Sequence, residues 1–456
     1  MDARTWNARN LAAAFLSGDW NQQALEGAAL ALLEREAAPR WLRDMVAEVL
    51  ERCETPYPPA PETLARLILA SKGFRRSALQ RRRSTTRSPP VTASPRFAPA
   101  AALRDLDIPA LPTLGALSDW IGLPHAQLAW FADVEGYRAA AQGEATRHYS
   151  YLWRSRKTGD PRLLEAPKPI LKGIQRQILR RILDPVPVHE AAHGFRKGRS
   201  CLTAAQLHAG EAVVLCLDLE DFFLSVPLRQ VHGLFRSLGY PWAVARFLTG
   251  LCSTSTPADV LAGAPLDGDP GHGGLGHRAR GLLRQAHLPQ GAPSSPALAN
   301  LCAWRLDCRL GGLARAFGAR YTRYADDLAF SGDTAFARRS AGFLGQVAAI
   351  CRDQGFGVNP RKTRILRQHE RQRLTGLVVN RHINVARDGF DRLKATLHNC
   401  LRHGPESQNR DRLSDFRAHL EGRVTWIESV NPGKGRRLRR LFEQIDWARS
   451  GARSGA

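Results

Sequence analysis

What the chain lacks narrows its function first. No run of its 456 residues approaches the roughly eighteen consecutive apolar residues that a membrane-spanning helix requires, so no membrane partner is expected. The opening residues, MDARTWNARN, do not carry the basic-then-apolar pattern of a secretory signal. Cysteines stand at 53, 201, 216, 252, 302, 308, 351 and 400, and no two of them form C-x-x-C. That spacing offers neither a zinc ribbon nor a disulfide framework, and it suits a reducing cytoplasm. Acidic residues are scarce. Against 66 Lys plus Arg there are only 42 Asp plus Glu, a net charge of +24. A surplus of that size favours a polyanionic partner through steering and counterion release, and nucleic acid is the expectation. The competing explanation is a proteome that uses arginine as generic surface.

The 43% hydrophobic content is enough to bury real cores. Residues 1–83 are predicted to form a helical N-terminal extension. NQQALEGAALALLEREAA, PRWLRDMVAEVLERC and APETLARLILAS each space their apolar residues at helical intervals. From Lys72 to Arg96 there are eight basic residues and no acid. Residues 84–100 are rich in Ser, Thr, Pro and Arg and are expected to be a linker. Beyond residue 101 helix and strand patterns mix. LKGIQRQILRRIL is a basic amphipathic helix, EAVVLCLDLEDFF opens as a buried strand, and ARYTRYADDLAFSG gives two strand pieces meeting at adjacent aspartates. Leu261–Arg280 is glycine-rich and predicted to be a surface loop. Residues 388–447 return to basic helical patterning, and no repeat of fixed period is present.

Asp218 closes the apolar run Val213–Leu217, and Asp326 with Asp327 follows 108 residues later. If the two strands are neighbours in one sheet, three carboxylates converge. Such a set can hold two hard divalent cations about 3.5–4 Å apart, as phosphoryl transfer requires. An isolated Asp pair is more often a solvated turn. Here, however, it stands among further blocks: HGFRKGRS (193–200), DLEDFF (218–223), LPQGAPSSP (288–296), YADD (324–327), GFGVNPRKT (355–363) and LTGLVVN (374–380).

These six blocks, in this order, resemble the reverse transcriptases, and most closely the bacterial retron class, from about Thr113 to Trp447. The resemblance implies an α+β right-hand polymerase. Fingers and an antiparallel palm sheet would occupy 101–385, and a helical thumb with a short tail 386–456. It makes Asp218, Asp326 and Asp327 the catalytic metal ligands, for two Mg²⁺ ions with Mn²⁺ as a substitute. Asp221 and Phe223 fall at nucleotide contacts, Phe223 as the flat ring that leaves no room for a ribose 2′-hydroxyl. Gln290 and Gly291 fall in the template and nucleotide cradle, where Gly291 permits close backbone approach. RSRKTGDPRLLEAPKP resembles the fingers hairpin, its Gly159-Asp160 turn separating Lys157 from Arg162. Both cations would clamp the triphosphate, Arg162 with the better-matched fork. Lys362 would protonate or neutralise leaving pyrophosphate, with a plain nucleic-acid contact as the alternative.

Two blocks point to retrons in particular. The Asn-Ala-x-x-His block reads AAQLH, with Ala204 at the Asn position and His208 kept. The Val-Thr-Gly block reads Leu374-Thr375-Gly376. The resemblance places His208, Thr375 and Gly376 among the RNA contacts, although a lone histidine is more often a hydrogen-bonded structural residue, and that is the preferred reading for His208. Arg436, Arg437, Arg439 and Arg440 in the thumb would contact RNA backbone.

The partners implied are a cognate structured non-coding RNA, its cDNA product, deoxynucleoside triphosphates and an effector protein. The activity implied is copying part of that RNA from a 2′-hydroxyl primer to give branched RNA–DNA (msDNA), in antiphage defence. A group II intron maturase is disfavoured, because few residues follow the thumb and no Cys-rich tail appears. A defence-associated reverse transcriptase without branched product, and a catalytically idle RNA-binding scaffold on a polymerase fold, are the alternatives. Intact Asp218, Asp326 and Asp327 speak against idleness, since adjacent carboxylates without a cation are a pure cost. Residues 1–83 are open between an RNA-binding extension, an effector dock and a scaffold.

Overall fold

Eight residues, VVLCLDLE at Val213–Glu220, decide where the chemistry can sit, because all but the last are buried. A strand covered on both faces must be apolar throughout, so the one carboxylate inside its buried run, Asp218, is an exception that needs compensation. The structure is a computed structural model describing residues 2–16, 20–53, 59, 61–77, 79, 96–134, 136, 143–144, 146–154, 161–265 and 274–447. The chain divides into two compact units, residues 1–187 with 221–302, and residues 188–220 with 303–456.

In the first unit, five helices (Ala3–Phe15, Gln22–Leu33, Arg40–Arg52, Pro61–Ala70 and Lys72–Arg76) share a core of their own. Leu11, Phe15, Leu25, Leu42, Met45, Ile68 and Phe74 are fully buried in it or nearly so. Asp2, Asn21 and Ser71 cap three of these helices, each accepting a backbone N–H of the first turn. Gly73 is required there, since a Cβ would fall 2.4 Å from the Trp41 carbonyl oxygen. Further along, β1 (Tyr149–Arg154) pairs antiparallel with β2 (Arg162–Pro167) in register Tyr149↔Pro167 to Arg154↔Arg162. The turn between them, with Lys157, Gly159 and Asp160, lies outside the described residues. The same holds for most of the expected linker, for residues 266–273 of the glycine-rich stretch and for the tail after 447. Helices Leu114–Ile121, His125–Ala132, Pro169–Ile178, Leu228–Ser237, Trp242–Leu251, His277–Arg284 and Ser295–Cys302 are the other larger described elements of this unit.

The second unit is built on a five-stranded sheet of antiparallel pairs: β3 (Val213–Glu220), β4 (Arg320–Tyr324), β5 (Asp327–Gly332), β6 (Gly357–Val358) and β7 (Arg364–Arg367). β5 lies between β4 and β3. The other edge of β3 is shared by β7 at Val213–Cys216 and β6 at Leu219–Glu220. Strand alternation sorts the side chains into two faces. On one, Phe330 packs edge-on to Phe343 of the helix Thr334–Asp353 at 5.0 Å and stacks on Tyr321 at 4.8 Å. On the other, Val214, Cys216 and Ala329 form a core with Leu374, Leu377 and Val379. Those residues come from a small sheet of β8 (Arg373–Leu374), β9 (Leu377–Val378) and β10 (Asn384–Val385) and from just beyond β9. Three helices, Arg387–His403, Phe416–Val430 and Pro432–Glu443, come next, around Leu393, Leu397, Leu420, Val424, Leu438 and Phe442. Among the described residues no helix is long and apolar enough to cross a membrane.

Candidate active site

Asp218 and Asp327 are direct cross-strand partners in the β3–β5 register. Alternation therefore puts both carboxylates on one face of the sheet, above the Cys216–Ala329 pair. Asp326 belongs to the two-residue turn, Ala325-Asp326, that joins β4 to β5. Its carbonyl accepts the Leu219 N–H at 2.9 Å, which locks the turn onto β3. The opposite edge of β3 is open where β6 ends and β7 begins, and the loop Asn359–Thr363 fills that gap. Asn359 N–H donates to the Asp218 carbonyl at 2.8 Å, and the Thr363 hydroxyl donates to the Asn359 carbonyl at 2.9 Å. So folded, the loop delivers Lys362, whose Nζ lies 2.9 and 3.0 Å from the two oxygens of Asp218.

The neighbouring acids act on Asp327. Burial, then the charges of Asp326 and Asp218, push the Asp327 carboxyl up to about 6, against the pull of Lys362 and Arg364. Carboxylate oxygens are hard ligands, so the donor set suits hard divalent cations. Among the described residues, no three His, Cys, Asp or Glu side chains are gathered tightly enough to hold a metal ion as they stand. Lys362 supplies the counter-charge to Asp218 instead. The raised value also bears on stability. Below about pH 4 the proton is present whether or not the chain is folded, and the folded state's preference for it is then fully expressed. That contribution is lost as pH rises through 6. Asp327→Asn is therefore expected to raise the melting temperature at pH 8 in a chelator, and to leave it nearly unchanged at pH 4. Melting curves of both proteins across that range check it, and a gain that did not depend on pH would count against the mutual repulsion.

Ala325 has φ +57°, a left-handed backbone uncommon for a residue with a Cβ. Three supports hold it there. Arg323 Nη1 donates to the Ala325 carbonyl at 3.2 Å. Arg323 is itself fully buried and forks onto Asp307 at 2.8 and 2.7 Å, while the Tyr321 hydroxyl donates to the same carboxylate at 2.8 Å. The preceding segment docks alongside β4, with His193 N–H donating to the Arg323 carbonyl at 2.8 Å and Arg323 N–H to the Ala191 carbonyl at 2.7 Å. Gly194 fits under the turn, where a Cβ would meet the Ala325 nitrogen at 2.5 Å. Arg323, Asp307 and Gly194 were not singled out by sequence reasoning. The available signal was an arginine at a core position of a strand, since Arg323 lies opposite Leu328.

The other expected site residues divide between the two units. In the first unit, Arg162 Nε donates to the Gln290 side-chain oxygen, so two of the expected nucleotide contacts touch each other. Gly291 has φ +141°, and a Cβ there would lie 2.8 Å from the Glu165 carbonyl oxygen, so the loop needs glycine. That loop is anchored by Glu165, whose N–H donates to the Gln290 carbonyl at 2.9 Å. The Glu165 carboxylate is wholly buried against His287 Nε2 (2.8 Å) and the Thr256 hydroxyl (2.9 Å). Asp221 sits at φ +50°, its carbonyl accepting Ser225 N–H and its carboxylate 4.0 Å from Arg278. Phe223 is half-buried, whereas its neighbour Phe222 takes the core position.

In the second unit the RNA contact assigned to His208 is corrected. The ring is fully buried, its nitrogens 2.7 Å from the Ser331 hydroxyl and 2.8 Å from the Thr322 hydroxyl, so it offers RNA no atom. Burial first, then the charges of His193 and Arg320, push it down to about 3, so it is neutral and structural. Thr375 and Gly376, at φ +46° and +88°, make the two-residue turn between β8 and β9. Arg436, Arg437 and Arg440 are exposed. Arg439 differs from them: it is held by Glu428 at 2.6 Å, Thr425 at 2.9 Å and Glu421 at 3.5 Å, so its charge is already engaged within the protein.

A carboxylate pair in register on antiparallel strands, with a third acid on the connecting turn, is an arrangement suited to polynucleotide synthesis, and comparison agrees. The family model described as reverse transcriptase (RNA-dependent DNA polymerase) matches residues 154–379. The chain is 41% identical over 297 residues to the retron Mx65 reverse transcriptase of Myxococcus xanthus, covering 65% of this chain and 65% of that relative. It is 36% identical over 351 residues to the retron Mx162 reverse transcriptase of the same organism, covering 74% and 68%. To the retron Ec86 reverse transcriptase of Escherichia coli it is 31% identical over 286 residues, covering 62% and 77%. The chain belongs to the bacterial retron reverse transcriptases.

Proposed function

We propose that this protein copies part of a cognate structured RNA into DNA, starting from a 2′-hydroxyl of that RNA, so that a branched RNA–DNA molecule results and serves antiphage defence. The observation that supports it most directly is the Asp218–Asp327 register, with Asp326 on the adjoining turn. Asp218, Asp326 and Asp327 would hold two Mg²⁺ ions, or Mn²⁺, which when bound activate a hydroxyl nucleophile and neutralise developing phosphate charge. Lys362 leaves Asp218 when that carboxylate is engaged, and its ammonium then neutralises or protonates the departing pyrophosphate. Arg162 and Gln290 orient the triphosphate, the role the resemblance also gives to Lys157, while Gly291 lets the backbone approach the template. Asp221 and Phe223 bound the sugar, and the Phe223 ring excludes a 2′-oxygen. In this reading residues 101–385 are fingers and palm, 386–456 a thumb that cradles RNA through Arg436, Arg437 and Arg440, and 1–83 an extension reached through the linker 84–100.

The test is to purify the protein from cells that carry its coding sequence with the flanking DNA, digest the bound nucleic acid with RNase, and sequence what remains. DNA joined to a ribonucleotide through a 2′ linkage is the expected product. Linear DNA alone would favour a reverse transcriptase without branching, and RNA with no DNA would favour an idle scaffold.

A further inference from the structure

Arg162 and Gln290 come from different parts of the first unit, Arg162 from β2 and Gln290 from the loop before helix Ser295–Cys302. Each stands three positions from a buried ionisable residue, Glu165 after Arg162 and His287 before Gln290. Those two side chains are sealed from water, and they meet at 2.8 Å. A wholly buried ion pair seldom adds stability, because each partner gives up its hydration. Stability is therefore a poor explanation for this one, and its location is a better guide.

The hydrogen bonds fix the charge on the ring. His287 Nδ1 lies 2.7 Å from the Gln285 carbonyl, which can only accept, so that nitrogen carries a hydrogen. Nε2 faces a carboxylate oxygen of Glu165, also an acceptor, so it carries one too, and the ring is an imidazolium. Burial opposes that charge, but the Glu165 carboxylate and the backbone carbonyls of Gln285 and Leu282 outweigh it and raise the ring above its ordinary value. The other oxygen of Glu165 accepts the Thr256 hydroxyl at 2.9 Å. Backbone bonds hold both partners in place. His287 and Thr254 exchange N–H···O bonds at 2.8 and 3.0 Å, and Glu165 N–H donates to the Gln290 carbonyl at 2.9 Å. The pair thus spans the gap between β2 and the loop that carries Gln290 and Gly291, and Arg162 touches Gln290 across the same gap.

We propose that Glu165 and His287 are a positioning pair for the incoming deoxynucleotide: the carboxylate–imidazolium contact holds β2 and the 287–291 loop at the separation that lets Arg162 and Gln290 address the same triphosphate. This rests on the polymerase reading and extends it to two residues that are too deeply buried to meet a substrate themselves. An apolar pair of like size would fill the space but leave the separation free to vary, since apolar attraction is not directional and a charge-assisted hydrogen bond is. The effect should fall on the deoxynucleotide, because the triphosphate contacts are what the two elements share.

The full-length protein is assayed for deoxynucleotide addition on a primed RNA template. Glu165→Leu with His287→Leu removes both charges at once, so no ion is left buried alone, and it is expected to keep the melting temperature within a few degrees of wild type. Its KM for deoxynucleotide is expected to rise about tenfold, with kcat and KM for the primed template each within about twofold. Glu165→Gln tests rescue. Its amide can accept from Thr256 and donate to a neutral His287, so KM for deoxynucleotide should return to within about threefold of wild type. Nitrogen NMR of histidine-labelled protein, with the His287 signals assigned by their loss in the double variant, is expected to show both ring nitrogens protonated at pH 6 in wild type and only one in Glu165→Gln. A folded double variant with wild-type KM for deoxynucleotide, an equal rise in both KM values, no rescue by Glu165→Gln, or a neutral ring in wild type would overturn the proposal. Were the wild-type protein inactive on every primed template, the polymerase reading would fail. Binding of a fluorescent deoxynucleotide to the same variants would then judge the pair, with equal affinity in wild type and the double variant, or none in either, overturning it.

Discussion

Asp326→Asn combined with Asp327→Asn is expected to lower deoxynucleotide incorporation by at least about a thousandfold and to leave RNA binding within a few-fold of wild type. Asparagine keeps the shape of each side chain and the Asp326 carbonyl that receives Leu219 N–H, so the turn should persist. What disappears is negative charge at the point where cations would be held. Charge stabilisation of a phosphoryl-transfer transition state by bound metal is worth several kcal/mol, and each ~1.4 kcal/mol is a factor of ten in rate. Primer extension with labelled deoxynucleotide and filter binding of RNA, run on the same preparations, separate the two properties. Extension at the wild-type rate would remove the carboxylates from the chemistry altogether.

The second large effect concerns a contact that touches no substrate. Asp307→Asn leaves the Arg323 guanidinium fully buried without its counter-charge, and is expected to destabilise the protein by about 3–5 kcal/mol. The pair itself need not be strongly stabilising, because both ions lose their hydration when the chain folds. Asp307→Leu with Arg323→Met should therefore recover much of the lost stability. It should not recover activity, since the Ala325 carbonyl would still have lost the Arg323 donor that steadies a left-handed turn beside Asp326. Denaturant unfolding and extension rates for the single and double variants check this. Equal recovery of stability and activity would mean that the pair serves packing alone.

Local pattern carried the strands well. VVLCLDLE announces a doubly covered strand through its unbroken apolar run, and the segments on either side of the Asp pair form strands too, the second buried along all but its first residue. Asp218 was legible because a carboxylate inside an apolar run is costly without a function, and Asp326 and Asp327 because two like charges adjoin between strands. The Asp218–Asp327 register was not legible, because it depends on pairing between segments more than a hundred residues apart. Nor was the contact of Lys362 with Asp218, which depends on a gap between two very short strands, β6 and β7. Composition could not separate residues of one type. Arg436, Arg437, Arg439 and Arg440 look alike in sequence, yet a helical turn places Arg439 against Glu428 and Glu421 of the neighbouring helix while its companions face solvent. His208 follows the structural reading preferred for it over the RNA contact that the resemblance implied, its imidazole held between the hydroxyls of Ser331 and Thr322. The expected role of residues 1–83 stays a proposal, although five helices around one core account for why those amphipathic segments cluster.

The gap in the sheet edge beside Asp218 has a consequence for incomplete chains. The backbone there is closed by Asn359, and its carboxylate is neutralised by Lys362, both of which follow Asp326 and Asp327 in the chain. A product of interrupted translation that stopped between 330 and 355 would possess every acid but neither the strand edge nor the ammonium that makes their company tolerable.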